Sequence, residues 1–210
     1  MEASQNQEIS NNLDVNTRVV TVNVYGEGLC PDTTNFFDYY FSRFVSEFEN
    51  EDDVLISYIP FGKAHCKYAC QNSNCSYSCI SQHGDKEVKI SALQNCVIDV
   101  YKNFNDYFDI VHCVQGKSSI DNAATNCFTK IDTNVANALI RCGQGSEGLR
   151  LLAGSENITK TNVPDLNFVP WVVINGERDS SAIFEGLEKT VCKELSTFRT
   201  VPAVCNSYLK

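Results

Sequence analysis

The sequence lacks any run of lysine or arginine residues, and its formal net charge is −9. An acidic surface repels phosphate backbones and anionic lipid headgroups, so nucleic acids and membrane surfaces are poor candidate partners. The chain also has no apolar stretch near the length of a membrane span, no internal repeat and no low-complexity segment. With 43% hydrophobic and 20% charged residues, its 210 residues are typical of a globular protein with one sizeable core.

Cysteine is the residue that the sequence has in excess, with eleven copies. They do not form the repeated Cys-x-x-Cys pairs of zinc sites, and an oxidising compartment converts thiolates to disulfides. We therefore expect no metal, no cofactor, and a disulfide framework in a secreted protein, with an endolysosomal protein as the alternative. The cysteines expected to pair are Cys66, Cys70, Cys75, Cys79, Cys96, Cys113, Cys127, Cys142, Cys192 and Cys205. An odd count leaves one over, and Cys30 is the best candidate.

Two further features bear on the compartment. The glycosylation acceptor motifs at Asn74 and Asn157 agree with a secreted glycoprotein. Residues 1–16 are polar and contain no signal-peptide apolar region. We interpret them as the flexible N-terminus of a mature chain whose signal peptide has been left out and replaced by Met1.

The rest of the chain is organised around the stretch from Val19 to Thr33. A β-branched run ends in two glycines, and Cys30 follows, with Pro31 suited to the first turn of a helix. A thiol there lies beside the free N–H groups of the helix N-terminus, which stabilise the reactive thiolate. This is the thioredoxin-type redox position, except that Thr33 stands where the second cysteine of Cys-x-x-Cys would be.

Hydrophobic periodicity predicts the order of the elements. Strands are expected over residues 18–24, 54–60 and 167–177, the last with an Asn-Gly hairpin turn, and helices over 31–48, 85–108, within 121–141, 147–153 and 180–195. In the polar segment between residues 66 and 79, the cysteine spacing suggests a short hairpin with Cys66–Cys79 and Cys70–Cys75 pairs, although connectivity stays open. Cys192 and Cys205 are expected to close the C-terminal tail.

Five motifs occur in order along nearly the whole chain. They are Val22 to Pro31, Ile59-Pro60-Phe61-Gly62-Lys63-Ala64, Gln82-His83-Gly84, Asn95-Cys96 and Val169 to Gly176. Together they resemble the gamma-interferon-inducible lysosomal thiol reductase (GILT) family, and insect secreted and salivary members look most similar.

The resemblance implies an α/β, thioredoxin-like fold with a disulfide-stapled helical insertion. Residues 17–61 and 146–205 would form the thioredoxin-like core, and residues 62–145 the cysteine-rich helical insertion. It also implies reduction of protein disulfides in acidic compartments and a cis-proline, here Pro170, facing Cys30.

The departures from the family pattern define a degenerate active site. The family's Cys-x-x-Cys reads Cys30-Pro31-Asp32-Thr33, its Cys-Gln-His-Gly reads Ser81-Gln82-His83-Gly84, and Val88 replaces a further cysteine. A dithiol reductase needs its second cysteine to resolve the mixed disulfide, and Thr33 cannot do so. Its hydroxyl is expected to donate a hydrogen bond to the Cys30 thiolate, whereas the Asp32 carboxylate opposes that thiolate.

Two functional hypotheses remain. The favoured one is a binding protein that has lost classical dithiol reductase activity and has a protein or cell-surface partner. The alternative is a monothiol disulfide reductase in which Cys30 attacks and an external small thiol resolves. His83 is interpreted as a loop or packing residue, and no Ser/His/Asp arrangement, phosphate loop or carboxylate pair reaches the level of a hypothesis.

Overall fold

The computed structural model describes residues 18–71 and 74–210, so the expected flexible N-terminus lies outside it. The strands are β1 (Val20–Gly26), β2 (Val54–Pro60), β3 (His65–Gln71), β4 (Asn74–Ile80), β5 (Trp171–Ile174) and β6 (Glu177–Arg178). The helices are α1 (Pro31–Phe36), α2 (Ser42–Phe48), α3 (Asp85–Tyr101), α4 (Phe104–Val114), α5 (Ile120–Cys127), α6 (Thr133–Gln144), α7 (Ser146–Asn162), α8 (Ala182–Glu185) and α9 (Glu188–Ser196). None of the helices within these ranges is long and apolar enough to cross a membrane.

A four-stranded sheet in the order β2-β1-β5-β6 forms the centre of the fold. β1 pairs with β2 in parallel and with β5 antiparallel, and β5 and β6 form a hairpin. Successive side chains of a strand point to opposite faces, so Val172 and Ile174 enter one hydrophobic cluster, whereas Trp171 and Val173 enter another. Both faces of the sheet are therefore covered, as in the predicted α/β architecture.

The segment that follows Cys30 is helical from Pro31 to Phe48, as the aromatic periodicity predicts. Its middle turn, Phe37–Phe41, is a π-helix, which accommodates one extra residue between α1 and α2. The apolar stripe is buried as core packing, through Phe36, Phe37, Phe41, Phe44, Val45 and Phe48. This helix places its N-terminus, and with it Cys30, at the end of the central strand.

Three predicted helix boundaries are wrong. The helix expected over 85–108 ends at Tyr101, because Lys102 adopts a φ of 60° and Asn103 caps the next helix by accepting the Asn105 N–H. The short helix expected over 147–153 extends to Asn162, since its later turns are also buried. The last helix is interrupted at Gly186, whose φ is 90°, and Phe184, expected on its apolar face, is 73% exposed.

The structure contains five disulfides within its described residues, and three of them are pairs that the sequence suggested. Cys66–Cys79 and Cys70–Cys75 join directly opposed residues of the β3–β4 hairpin, the pairs that the sequence suggested. Cys96–Cys142 and Cys113–Cys127 join the helices of the central block, and Cys192–Cys205 ties the C-terminal tail to α9. All eleven cysteines lie in the described part of the chain, and Cys30 is the one that stays unpaired.

The domain boundaries at residues 62 and 145 stay a prediction. Four of the five disulfides lie within that block, as expected of an insertion stapled to itself. Its helices nevertheless share one hydrophobic cluster with the central sheet, where Leu93, Phe108 and Val111 pack with Val22 and Ile174. The block therefore contributes to the same core as the sheet.

Candidate active site

Cys30 lies where the loop after β1 enters α1. It occupies the N-cap position in an extended conformation (φ −64°, ψ 122°), and Pro31 is the first helical residue. The thiol is buried, with 4% of the residue exposed, and donates towards the Val169 carbonyl oxygen at 3.9 Å. The peptide bond between Val169 and Pro170 is cis, as the family resemblance implied. Tertiary folding therefore brings together two segments that are about 140 residues apart in the sequence.

Thr33 points into the protein from the first turn of α1. It is fully buried, and its Oγ1 accepts the Glu27 backbone N–H at 3.4 Å. A Cβ atom on Gly26 would lie 2.6 Å from the Thr33 methyl group, so only glycine fits beside it. The Cys30 thiol itself donates towards the Val169 carbonyl oxygen, and the expected hydrogen bond from the Thr33 hydroxyl to a Cys30 thiolate stays a prediction.

The loop that carries Cys30 is held by side-chain and backbone groups of the helical block, residues 62–145. The Gly28 N–H donates to the Ser91 hydroxyl at 3.0 Å, and its carbonyl accepts the Gly116 N–H at 2.8 Å. The Leu29 N–H donates to Glu87 Oε1 at 3.2 Å. Because free backbone groups of a buried loop are costly, these partners from α3 and from the segment just after α4 fix its conformation.

Beside this loop, the ring of His83 faces two buried carboxylates. His83 Nδ1 lies 2.8 Å from Glu87 Oε1 and 3.7 Å from Glu27 Oε2. Glu27 and Glu87 are 0% and 1% exposed, whereas the His83 side chain is 36% exposed. His83 lies in the turn before α3, as expected of a loop residue, and its ring also contacts these two carboxylates.

Sequence reasoning missed Glu27 and Glu87, and only part of the signal was available. Glu87 follows His83 by four residues, the spacing at which two side chains meet on one helical turn. Nothing in the sequence placed Glu27 beside them, because that contact depends on how the β1–α1 loop packs against the segment before α3. The sequence brought no carboxylate pair to the level of a hypothesis, and the structure places these two carboxylates beside one imidazole.

Burial dominates the electrostatics around the loop. It raises the pKa of Glu27, the Lys63 N–H acts in the opposite direction, and the nearby Glu87 raises it further. Burial also raises the pKa of Tyr58 well above its usual value, and its hydroxyl has no hydrogen-bond partner within the described chain. Asp32 is exposed, so water screens its opposition to a Cys30 thiolate.

Of the two predicted glycosylation positions, the structure describes the side chain of Asn157. Asn157 is exposed on α7, and the hydroxyl of Thr159 in the same motif is buried and donates to the Ser155 carbonyl. Asn74 begins β4, and its side chain lies outside what the structure describes.

Solved structures share the fold of this chain. A DsbA of Chlamydia trachomatis superposes with a TM-score of 0.63 at 12% identity, covering 94% of this chain and 98% of that one. BdbD of Bacillus subtilis gives 0.61 at 15% identity, covering 84% and 88%. At these identities the similarity shows the fold, which is thioredoxin-like.

Sequence comparisons give the family. A GILT-like protein of Caenorhabditis elegans is 35% identical over 192 residues, 91% of this chain but 57% of that protein. A second from the same nematode is 31% identical over 172 residues, 80% of this chain and 76% of that one. The Carassius auratus gamma-interferon-inducible lysosomal thiol reductase is 26% identical over 200 residues, 93% and 75%. The family model described as gamma interferon inducible lysosomal thiol reductase (GILT) matches residues 21–131, and this chain belongs to that family.

Proposed function

We propose that this GILT-family protein does not run the two-thiol reductase cycle and acts as a secreted binding protein with a protein or cell-surface partner. The observation that carries the proposal is Thr33, fully buried at the position of the resolving cysteine. A mixed disulfide on Cys30 would have no neighbouring thiol to resolve it, because the other ten cysteines are paired.

The environment of Cys30 supports the same conclusion. Attack on a protein disulfide requires an accessible thiolate, and the residue is 4% exposed. Its thiol also faces the Val169 carbonyl oxygen at 3.9 Å. Burial against this segment restricts the access of large substrates to the sulfur.

A surface for a partner is available next to the helix that begins at Cys30. Tyr39 is 69% exposed on the π-helix Phe37–Phe41, and Phe184 is 73% exposed on α8, which packs against that π-helix. Exposed aromatic side chains on adjacent elements are typical of protein interaction surfaces. We propose this region as the contact surface, separate from the thiol.

A monothiol reductase is the second candidate, and the retained cis-Pro170 beside Cys30 favours it. The Cys30 thiolate would attack a substrate disulfide, form a mixed disulfide and release one substrate thiolate, which takes up a proton. A first external thiolate would attack the Cys30 sulfur and release the second substrate thiol, and a second would free Cys30. Overall, one substrate disulfide is reduced while two external thiols become one disulfide.

One assay separates the two candidates. Reduction of a denatured, disulfide-bonded protein is measured with added cysteine or glutathione at acidic and neutral pH, for the wild type, Cys30→Ser and Thr33→Cys. We expect wild-type rates equal to those of Cys30→Ser. We also expect a gain in Thr33→Cys that is absent when Cys30→Ser and Thr33→Cys are combined. Thr34→Cys, which adds a thiol one residue further along, is the matched control and is expected to gain nothing.

Either opposite result is decisive. Wild-type turnover that Cys30→Ser abolishes would establish the monothiol mechanism in place of the binding protein. A Thr33→Cys variant that folds but stays inactive would show that the missing cysteine is not the reason for inactivity. Thiol counting checks the starting point: we expect one reactive thiol per chain after denaturation without reductant, and slow reaction in the native state.

The compartment is part of the proposal. An acidic chain with five disulfides fits the oxidising secretory route, with an endolysosomal destination as the alternative. We propose a glycan at Asn157, which is exposed, and at Asn74. Expression through the secretory pathway followed by glycosidase digestion tests this. Each glycan is expected to slow migration on a denaturing gel, and Asn157→Gln and Asn74→Gln should each remove one such shift.

A further inference from the structure

Four glutamates of the described chain are buried, and two of them have a basic partner. Glu156 lies 2.5 Å from Lys160 Nζ and also contacts His65. Glu188 lies 2.8 Å from Arg43 Nε. In these two cases a full positive charge compensates the buried carboxylate, as the cost of burying an unpaired charge requires.

The other two, Glu27 and Glu87, lack such a partner. Within residues 18–71 and 74–210, the only basic side chain within 4 Å of either carboxylate is His83. Their other hydrogen bonds come from neutral donors, namely the N–H groups of Leu29, Lys63 and His83, the Ser81 hydroxyl and the Gln82 amide. Two carboxylates that are almost completely buried therefore share one partly exposed imidazole as their nearest basic side chain.

The spacing of the three groups fits a metal ion. One ligand atom from each of Glu27, His83 and Glu87 lies within 4.8 Å of the others. His83 Nδ1 is 2.8 Å from Glu87 Oε1 and 3.7 Å from Glu27 Oε2. Zinc bonds of about 2.0–2.1 Å in a tetrahedron place ligand atoms about 3.3 Å apart, which lies between these two distances.

We propose that Glu27, His83 and Glu87 form a binding site for one divalent transition-metal ion, with zinc as the best match. One carboxylate oxygen from each glutamate and His83 Nδ1 are the protein ligands, and water completes the tetrahedron on the exposed side of the imidazole. Imidazole together with carboxylate is a ligand set that zinc accepts readily.

The surrounding hydrogen bonds suit this role. Ligating carboxylates are themselves usually hydrogen-bonded, and the Gln82 amide and the Lys63 N–H do this for Glu27. Glu87 also accepts the Leu29 N–H, next to Cys30. The site is thus bonded directly to the loop that carries the free thiol, although Cys30 is not one of its ligands. This inference contradicts the expectation of no metal and does not depend on whether the protein is a reductase.

Titration of zinc into chelator-treated protein, monitored by isothermal titration calorimetry, tests the site. The experiment uses a Cys30→Ser background, so that the thiol cannot bind zinc. We expect one ion per chain, at least tenfold weaker affinity in His83→Asn and Glu87→Gln, and no change in His65→Asn. His65 is the matched control because it pairs with Glu156, which already has Lys160.

Cobalt substitution gives a second measurement that does not depend on the folding of the glutamate variant. We expect the visible absorption of tetrahedral cobalt in Cys30→Ser, and its loss in His83→Asn, where the replaced side chain is partly exposed. No stoichiometric zinc binding, or binding that His83→Asn leaves unchanged, would overturn the proposal. Binding of magnesium or calcium with an affinity equal to that of zinc would also overturn the proposal, because those ions prefer all-oxygen sites of higher coordination number.

Discussion

At the scale of single residues, the site differs from a two-thiol centre at positions 30 and 33. The difference lies in the hydrogen bonds of both residues as well as in the threonine at position 33. Thr33 fills the place of the second cysteine, and its hydroxyl is used by the Glu27 N–H. Cys30 keeps its place at the helix N-terminus, but its thiol is directed to the Val169 carbonyl. A single substitution at Thr33 therefore changes both the chemistry and the hydrogen bonding of the loop.

Asp179 is a residue whose ionisation stabilises the fold. Its Oδ1 accepts the N–H groups of Ser181 and Ala182, and its Oδ2 accepts the Thr190 hydroxyl at 2.7 Å. Burial raises the pKa of Asp179, but these hydrogen bonds outweigh it and hold the pKa below its usual value. A carboxyl with a lowered folded-state pKa contributes stability above its unfolded pKa and loses it as the pH falls through the folded value.

We therefore expect Asp179→Asn to lower the free energy of unfolding by about 1 kcal/mol at neutral pH, because hydrogen bonds to a charged acceptor contribute more than those to a neutral amide. The difference from wild type should shrink as the pH falls below about 4. Urea unfolding at a series of pH values measures it, with the exposed Asp165→Asn as a control expected to change little. A difference that stays constant down to acid pH would contradict this role of the charge.

At the scale of elements, local periodicity predicted whether a segment is a helix or a strand better than it predicted where that element ends. The strand expected over 54–60 and the helix over 31–48 match β2 and the α1–α2 segment. The Asn-Gly turn is also present, with positive φ at Asn175 and Gly176. The break between α3 and α4 was missed, because nothing about a lysine at position 102 indicates a positive φ.

Lys102 tests that explanation of the break. A non-glycine residue at a φ of 60° with ψ near −48° carries backbone strain, and Gly adopts this conformation without it. We expect Lys102→Gly to raise the free energy of unfolding by about 1 kcal/mol. The surface ion pair with Asp99 that it removes is worth little.

The control for this variant is Lys89→Gly, on the exposed side of α3. There glycine should destabilise by about 1 kcal/mol, because the backbone is ordinary helix. Denaturant unfolding monitored by circular dichroism gives both values. Destabilisation of the Lys102 variant would mean that helix propensity, and not strain, decides this position.

At the scale of the whole molecule, the helical block and the sheet are one packed body. The cluster on one face of the sheet combines strand residues such as Val22 with block residues such as Leu93 and Phe108. The opposite face packs Trp171 and Tyr25 with Leu152 of α7. The Cys30 loop lies where these parts meet, which is why α3 and α4 supply its hydrogen bonds.

This continuity predicts a single cooperative unfolding transition with the disulfides intact. Trp171, the one tryptophan of the sequence, reports on the sheet, whereas far-UV circular dichroism reports mainly on the helices of the block. We expect the two signals to give the same denaturant midpoint. A tryptophan midpoint clearly separated from the helical one would instead indicate two independently folding units.

The sequence by itself determined the thioredoxin-like order, the odd number of cysteines and the threonine three residues after Cys30, because these follow from short-range periodicity, residue counts and spacing. Spacing also suggested the two hairpin disulfide pairs but left their connectivity open, and the structure joins them as directly opposed residues. The tertiary structure alone decided that Cys30 is buried beneath Val169 and that Glu27 meets Glu87 across His83. Those contacts join residues about 60 to 140 positions apart, and packing of the helical block against the sheet brings them together.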